Sequence, residues 1–123
     1  MDKPAKNKAQ NSAQEIIEPA SPQEFLKRGW TFYGRNMYQE AAKDFLNAIA
    51  SEDVDSYYAL GLTQKALKKS ADAIQTFQKT LSLVENLEDV VKAHMLRRLI
   101  IGQINQITSG DWNLEKEIWN KTD

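Results

Sequence analysis

The apolar and small residues of this chain repeat. Gly29, Ala41 and Phe45 recur as Gly61, Ala73 and Phe77, each 32 residues further on. Thr31 and Thr63 match in the same frame, and Phe25/Tyr57, Leu26/Tyr58, Trp30/Leu62 and Ile49/Leu81 keep their apolar character. A repeat at a period of about 20–50 residues marks stacked supersecondary units, which usually present a surface to a partner. Each unit reads as two helices. The first runs roughly over 22–35 and 54–67, the second over 38–50 and 70–84.

Local signals place the ends. Ser21-Pro22-Gln23-Glu24 is a helix start: Ser21 caps, Pro22 suits the first helical position, and Glu24 completes a capping box. Asp53 and Ser70 are candidate caps for later helices. Gly34 with Arg35-Asn36 can end the first helix, because Gly and Asn tolerate a left-handed turn. Lys68-Lys69 suits a helix C-terminus. A helix-interior Gly costs about 1 kcal/mol relative to Ala. Its presence at both Gly29 and Gly61 therefore predicts close helix approach, with Ala41 and Ala73 where the returning helix comes nearest and Phe45 and Phe77 wedged between helices.

Residues 1–20 differ in composition. They are rich in Lys, Asn, Gln, Ala and Ser, with only Ile16-Ile17 as apolar bulk, and read as a disordered arm. Residues 21–123 form the domain: repeat one 22–53, repeat two 54–86, a capping helix 87–108 and a short C-terminal helix 111–121. In the capping helix Val90, Val91, Met95, Leu96, Leu99, Ile100, Ile101, Ile104 and Ile107 cover more than one face, which predicts burial on several sides. Ser109-Gly110 stops it, and Trp112, Leu114, Ile118 and Trp119 are expected to pack against it. The helix does not repeat the Gly/Ala/Phe frame: Gly102 has no matching Ala and Phe after it.

The repeating unit resembles the tetratricopeptide repeat, a helix–turn–helix of about 34 residues. The small and aromatic positions of that family fall here on Phe25, Gly29, Phe32, Ala41, Phe45 and Ala48, with Tyr38 as a further aromatic match. In the second unit they fall on Tyr57, Gly61, Gln64, Ala73, Phe77 and Thr80. Gln64 and Thr80 depart from the pattern. The link Ala50-Ser51-Glu52-Asp53 is about two residues short of the family spacing, and Asp53 and Glu85 stand where its proline is usual. The resemblance covers about 22–85. It implies an all-α fold of tetratricopeptide-type repeats stacked as a short right-handed solenoid.

Composition fits a soluble globular chain, with 41% hydrophobic and 27% charged residues. Net charge is −1 and the basic residues are scattered, so neither nucleic acid nor an anionic membrane is an expected partner. Cysteine is absent, which removes disulfides and thiolate metal sites. The N-terminal stretch lacks the apolar core of a signal peptide, and a cytoplasmic location is expected. His94 is the only histidine, and a general acid or base needs a positioned partner. Asp53, Asp55, Glu85, Glu88 and Asp89 read as caps and helix-dipole partners, without the ligand spacing of a calcium loop. No Gly-rich phosphate loop occurs. The expectation is a non-enzyme with no catalytic residue, no metal and no cofactor.

In the resembled family the first helix of each unit lines a concave groove. The corresponding residues are Gln23, Leu26, Lys27, Trp30, Tyr33 and Gly34, then Asp55, Tyr58, Ala59, Leu62, Lys65 and Ala66. One subclass grips a partner's C-terminal carboxylate through Lys and Asn; here Leu26, Trp30 and Ala59 occupy those places, so that clamp is not expected. What the resemblance implies instead is an apolar, aromatic groove of Leu26, Trp30, Tyr33, Tyr58 and Leu62, edged by Lys27 and Lys65. Trp and Tyr dominate binding hot spots. The expected function is an adaptor holding an apolar peptide or helix of another protein. The alternatives are a homo-oligomerisation module using the same aromatic face, and a face covered by the chain's own C-terminal segment.

Overall fold

A computed structural model of the chain describes residues 18–112. Within them lie five α-helices and no strand: α1 Pro22–Gly34, α2 Tyr38–Ala48, α3 Val54–Ala66, α4 Ser70–Val84 and α5 Val90–Ser109. A 3-10 turn, Ile49–Ser51, follows α2. The first seventeen residues of the expected arm, and the expected C-terminal helix beyond Trp112 with Leu114, Ile118 and Trp119, lie outside the described residues.

The starts of α1 and α3 are 32 residues apart, as are those of α2 and α4. The two hairpin turns share their two closing hydrogen bonds, although Arg35 N–H donates to Phe32 O where its counterpart Leu67 N–H donates to Thr63 O. In the first, Asn36 N–H donates to Tyr33 O at 2.9 Å and Met37 N–H to Phe32 O at 2.9 Å. In the second, Lys68 N–H donates to Lys65 O at 3.0 Å and Lys69 N–H to Gln64 O at 2.9 Å. Each is a Schellman closure around a left-handed residue, Asn36 at φ 62° and Lys68 at φ 66°. Gly34 stays helical, so the left-handed role falls to Asn36 and not to the glycine. Ser70 is likewise the first helical residue rather than a cap, and Lys69 precedes it without a side-chain cap bond.

The other ends follow their chemistry. Ser21 Oγ accepts from Glu24 N–H at 3.2 Å, and Glu24 Oε1 accepts from Ala20 N–H at 2.6 Å, a reciprocal cap of the expected kind. Asp53 precedes α3 but makes no cap bond to the backbone; its Oδ2 accepts the Ser56 hydroxyl at 3.4 Å. Glu85 sits at the end of α4, not at a helix start, and pairs with Arg97 at 3.6 Å. Asp89 does cap: its Oδ1 accepts from Lys92 N–H at 3.0 Å, which sets the start of α5 at Val90 instead of residue 87. Gly110, at φ 86°, ends α5. The short link between hairpins is closed by the 3-10 turn and by Glu52 at φ 56°. A left-handed non-glycine costs on the order of 1 kcal/mol, which the bond from Glu52 N–H to Ile49 O at 2.9 Å helps offset.

The paired glycines behave as their repetition predicts. A methyl placed on Gly29 would lie 2.5 Å from Phe45 Cε1, and one on Gly61 would lie 2.5 Å from Phe77 Cε1. Phe45 and Phe77 are completely buried, as are Ala41 and Ala73. One core cluster holds Ala41, Phe45, Ala59 and Leu60; the other holds Val54, Ala73, Phe77, Val84, Ala93 and Ile100. Thr80, which departs from the expected small-residue pattern, is buried with its hydroxyl donated to Thr76 O at 2.7 Å. The helices pack chiefly on their chain neighbours: α1 on α2, α2 on α3, α3 on α4 and α4 on α5.

Two further features depart from the sequence reading. Asp44 is buried, and its carboxylate is gripped by Arg28 through Nε at 2.8 Å and Nη2 at 2.9 Å. And α5 is not buried on several sides: only Ala93, Ile100 and Gly102 are buried along it, while Val90, Val91, Met95 and Leu99 face outward.

Candidate functional site

Helix α1 carries Leu26, Lys27, Trp30 and Tyr33, and α3 carries Tyr58, Leu62 and Lys65 at the equivalent heights. Trp30 lies over the first hairpin's core. Its ring meets Phe45 edge-on at 5.2 Å and Tyr33 edge-on at 5.3 Å, and Tyr33 in turn meets Tyr38 at 5.2 Å. Phe45 beneath it is fully buried, yet Trp30 itself remains 39% exposed. The aromatic cluster thus runs from the core to solvent. Such edge-to-face pairs hold rings in place beyond what burial alone supplies. Leu26 and Tyr33 are half-buried against the same cluster, and Lys27 is exposed. Burial pushes the Tyr33 phenol above its ordinary range, with the neighbouring phenols of Tyr38 and Tyr58 adding to the effect.

The α3 half is differently engaged. Tyr58 and Leu62 pack on the second cluster, with Tyr58 against Phe77 at 5.9 Å. Helix α5 reaches this half with two amides. Lys65 Nζ donates to Gln103 Oε1 at 2.6 Å and to Gln106 Oε1, and Gln103 Nε2 donates to the Tyr58 hydroxyl at 3.4 Å. Both amides are neutral acceptors, and burial lowers the Lys65 pKa. The α1 half is therefore open at Trp30, while the α3 half is tied to the chain's own last helix. Gln103 and Gln106 were not signalled by any sequence pattern; a polar residue on a helix carries no mark of what it will meet.

The remaining groove candidates divide. Gln23 and Gly34 are exposed, Asp55 pairs with Lys92 at 4.0 Å, and Ala66 is half-buried. Ala59 is fully buried in the first core cluster and lines no groove. His94 is exposed on α5, and no group of three metal-ligating side chains occurs among the described residues. No described helix is long and apolar enough to cross a membrane. No protein-family model, no curated protein and no solved structure matches this chain.

Proposed function

We propose that this chain is a small tetratricopeptide-type adaptor, a short solenoid of two repeats that holds an apolar peptide or helix of another protein. It works by binding, without catalysis, metal or cofactor, and its place is the cytoplasm. The observation that carries this reading is Trp30: a large aromatic ring 39% exposed, held rigid by Phe45 below and Tyr33 beside it. A preordered aromatic loses little entropy on binding, and Trp is enriched among hot-spot residues. The exact Gly/Phe repetition and the paired Schellman turns support the repeat architecture. The bonds from α5 to Lys65 and Tyr58 concentrate the contact surface on Leu26, Lys27, Trp30 and Tyr33.

The test uses peptides selected by display against the full chain. Chemical shifts on binding are expected at Leu26, Trp30 and Tyr33. Trp30→Ala is expected to weaken binding by at least ~2 kcal/mol with helicity unchanged. Sedimentation at rising concentration examines the homo-oligomer alternative. A dimer that Trp30→Ala dissolves, with no peptide selected, replaces the adaptor reading.

A further inference from the structure

Helix α5 is apolar on more of its girth than its neighbours cover. It packs chiefly on α4, and it meets the second core cluster with Ala93, Leu96, Ile100 and Ile104. Its other side keeps Val91, Met95 and Leu99, exposed by 69%, 57% and 40%. These follow one another at intervals of four and so form one stripe along the helix. Gly102 continues the stripe three residues on. There the Trp112 ring lies so close that no Cβ fits between them, and Asn105 Nδ2 donates to the Trp112 carbonyl at 2.9 Å. The ring closes that end of the stripe. A shallow pocket of about 250 Å³ opens beside it, lined by Met95, Arg98, Leu99 and Trp112.

The charge beside the stripe has one sign. From Val90 to Ser109 the helix holds Lys92, Arg97 and Arg98 and no acidic residue. At 3.6 residues per turn, Arg98 falls about 60° to one side of Met95 and Lys92 about 60° to the other. The stripe therefore runs between two cations. Lys92 reaches Asp55 only at 4.0 Å. Arg98 is exposed and pairs with no acidic side chain among the described residues.

That sign selects the occupant. A second copy placed on the stripe by a two-fold axis brings like flanks together if the helices run antiparallel, and opposite flanks together if they run parallel. The first sets Arg98 on the side of its own copy, and the second sets Arg98 on the side of Lys92. Both arrangements put basic groups against basic groups, which weighs against self-association. A helix with an apolar stripe flanked by carboxylates fits instead. Helices of that pattern dock by laying their apolar face in a hydrophobic groove, and opposite charges at the rim set the register.

We propose that the outer stripe of α5 docks an amphipathic helix of another protein whose apolar face is flanked by Asp and Glu. Met95, Leu99 and the pocket beside Trp112 take its apolar side chains, and Arg98 takes a carboxylate. This surface lies on a different helix from Trp30 and does not rest on the adaptor reading.

Two designed helical peptides serve as probes. Both carry the same leucine stripe; one has Glu on each flank and the other has Lys. Each is titrated into the isotope-labelled full chain and followed by chemical shift. The Glu peptide is expected to bind roughly ten-fold tighter or more, shifting the amides of Val91, Met95 and Leu99 and the Trp112 indole. Arg98→Glu, at an exposed position, is expected to reverse the order of the two peptides, and Met95→Glu to weaken the Glu peptide. Equal affinities, or an order that Arg98→Glu leaves unchanged, overturn the proposal. Shifts confined to the Trp30 indole and its neighbours also overturn it and leave the adaptor reading intact. No shift along the stripe with either peptide means that the chain's own C-terminal residues or a second copy cover it, and overturns it as well. Sedimentation separates those two: a dimer that Met95→Glu dissolves identifies the second copy.

Discussion

The two hairpins share a backbone and differ in what they do with it. Gly29 and Phe45 match Gly61 and Phe77, and Asn36 matches Lys68 in a turn that any ordinary L-residue enters only with strain. Around that frame the side chains diverge. Where the first hairpin has Arg28 and Asp44, the second has Leu60 and Thr76. Leu60 is buried in the cluster it shares with Ala41 and Phe45, because the first hairpin covers it. The outer face of α1 has no such cover among the described residues. Its place is taken by Arg28, which lies over Phe25 at 5.9 Å and Phe32 at 5.6 Å, grips Asp44, and meets Glu18 at 3.5 Å. An amphipathic arginine covers rings with its stem and plane while its charge stays satisfied. Neighbourhood, not the repeat, decides these positions: an inner unit needs leucine where an outer one can use arginine.

The largest expected effect tests whether the frame is shared energetically. Phe45→Ala and Phe77→Ala should each cost about 3–5 kcal/mol, since both empty a filled site against a glycine. Denaturant melts check this. A loss confined to one hairpin's probes would show that the units unfold separately. The next comparison grafts one hairpin's pair into the other. Arg28→Leu alone strands a buried carboxylate and should cost about 3 kcal/mol. Arg28→Leu with Asp44→Thr installs the second hairpin's pair and should recover most of that loss. A double variant no more stable than the single would mean that the arginine acts chiefly by covering Phe25 and Phe32.

The smallest effect lies in alkali. Tyr33 and Lys65 hold equivalent places, and burial shifts them in opposite senses. The raised phenol of Tyr33 contributes stability that is fully present below its ordinary pKa of 10.0 and lost as pH rises through the higher folded value. The lowered ammonium of Lys65 does the reverse: stability grows as pH rises from its folded pKa toward 10.5, because the unfolded chain binds the extra proton. Tyr33→Phe should therefore lessen the fall in Tm across the alkaline range, and Lys65→Met should steepen it. Thermal melts from pH 9 to about 11 would show both changes.

The helical frame was legible because packing demands the same small residue against the same ring in each unit, and Gly29, Gly61, Phe45 and Phe77 announce it at one spacing. Trp112 was expected against the last helix and packs there, but its partner Gly102 could not be named, because that glycine comes ten residues earlier, against sixteen for the other two pairs, and no fixed shift aligns it. Arg28 and Asp44 were hidden for another reason. Charged residues on amphipathic helices usually face water, and sixteen residues of separation give no sign that these two meet. Among the candidate contact residues, Trp30 and Tyr33 could be named from the 32-residue repetition. The engagement of Tyr58 and Lys65 by Gln103 and Gln106 could not, since an amide fits solvent and a lysine equally well.

The neighbour-to-neighbour packing of the helices also bears on how quickly the chain reaches its native state. With α1 meeting α2, α2 meeting α3 and so on, few native contacts require distant parts of the chain to find one another. Loop-closure entropy is then paid in small instalments, and chains of such local topology fold on the order of microseconds to milliseconds. A stopped-flow mixing experiment should find most of the amplitude gone within its dead time.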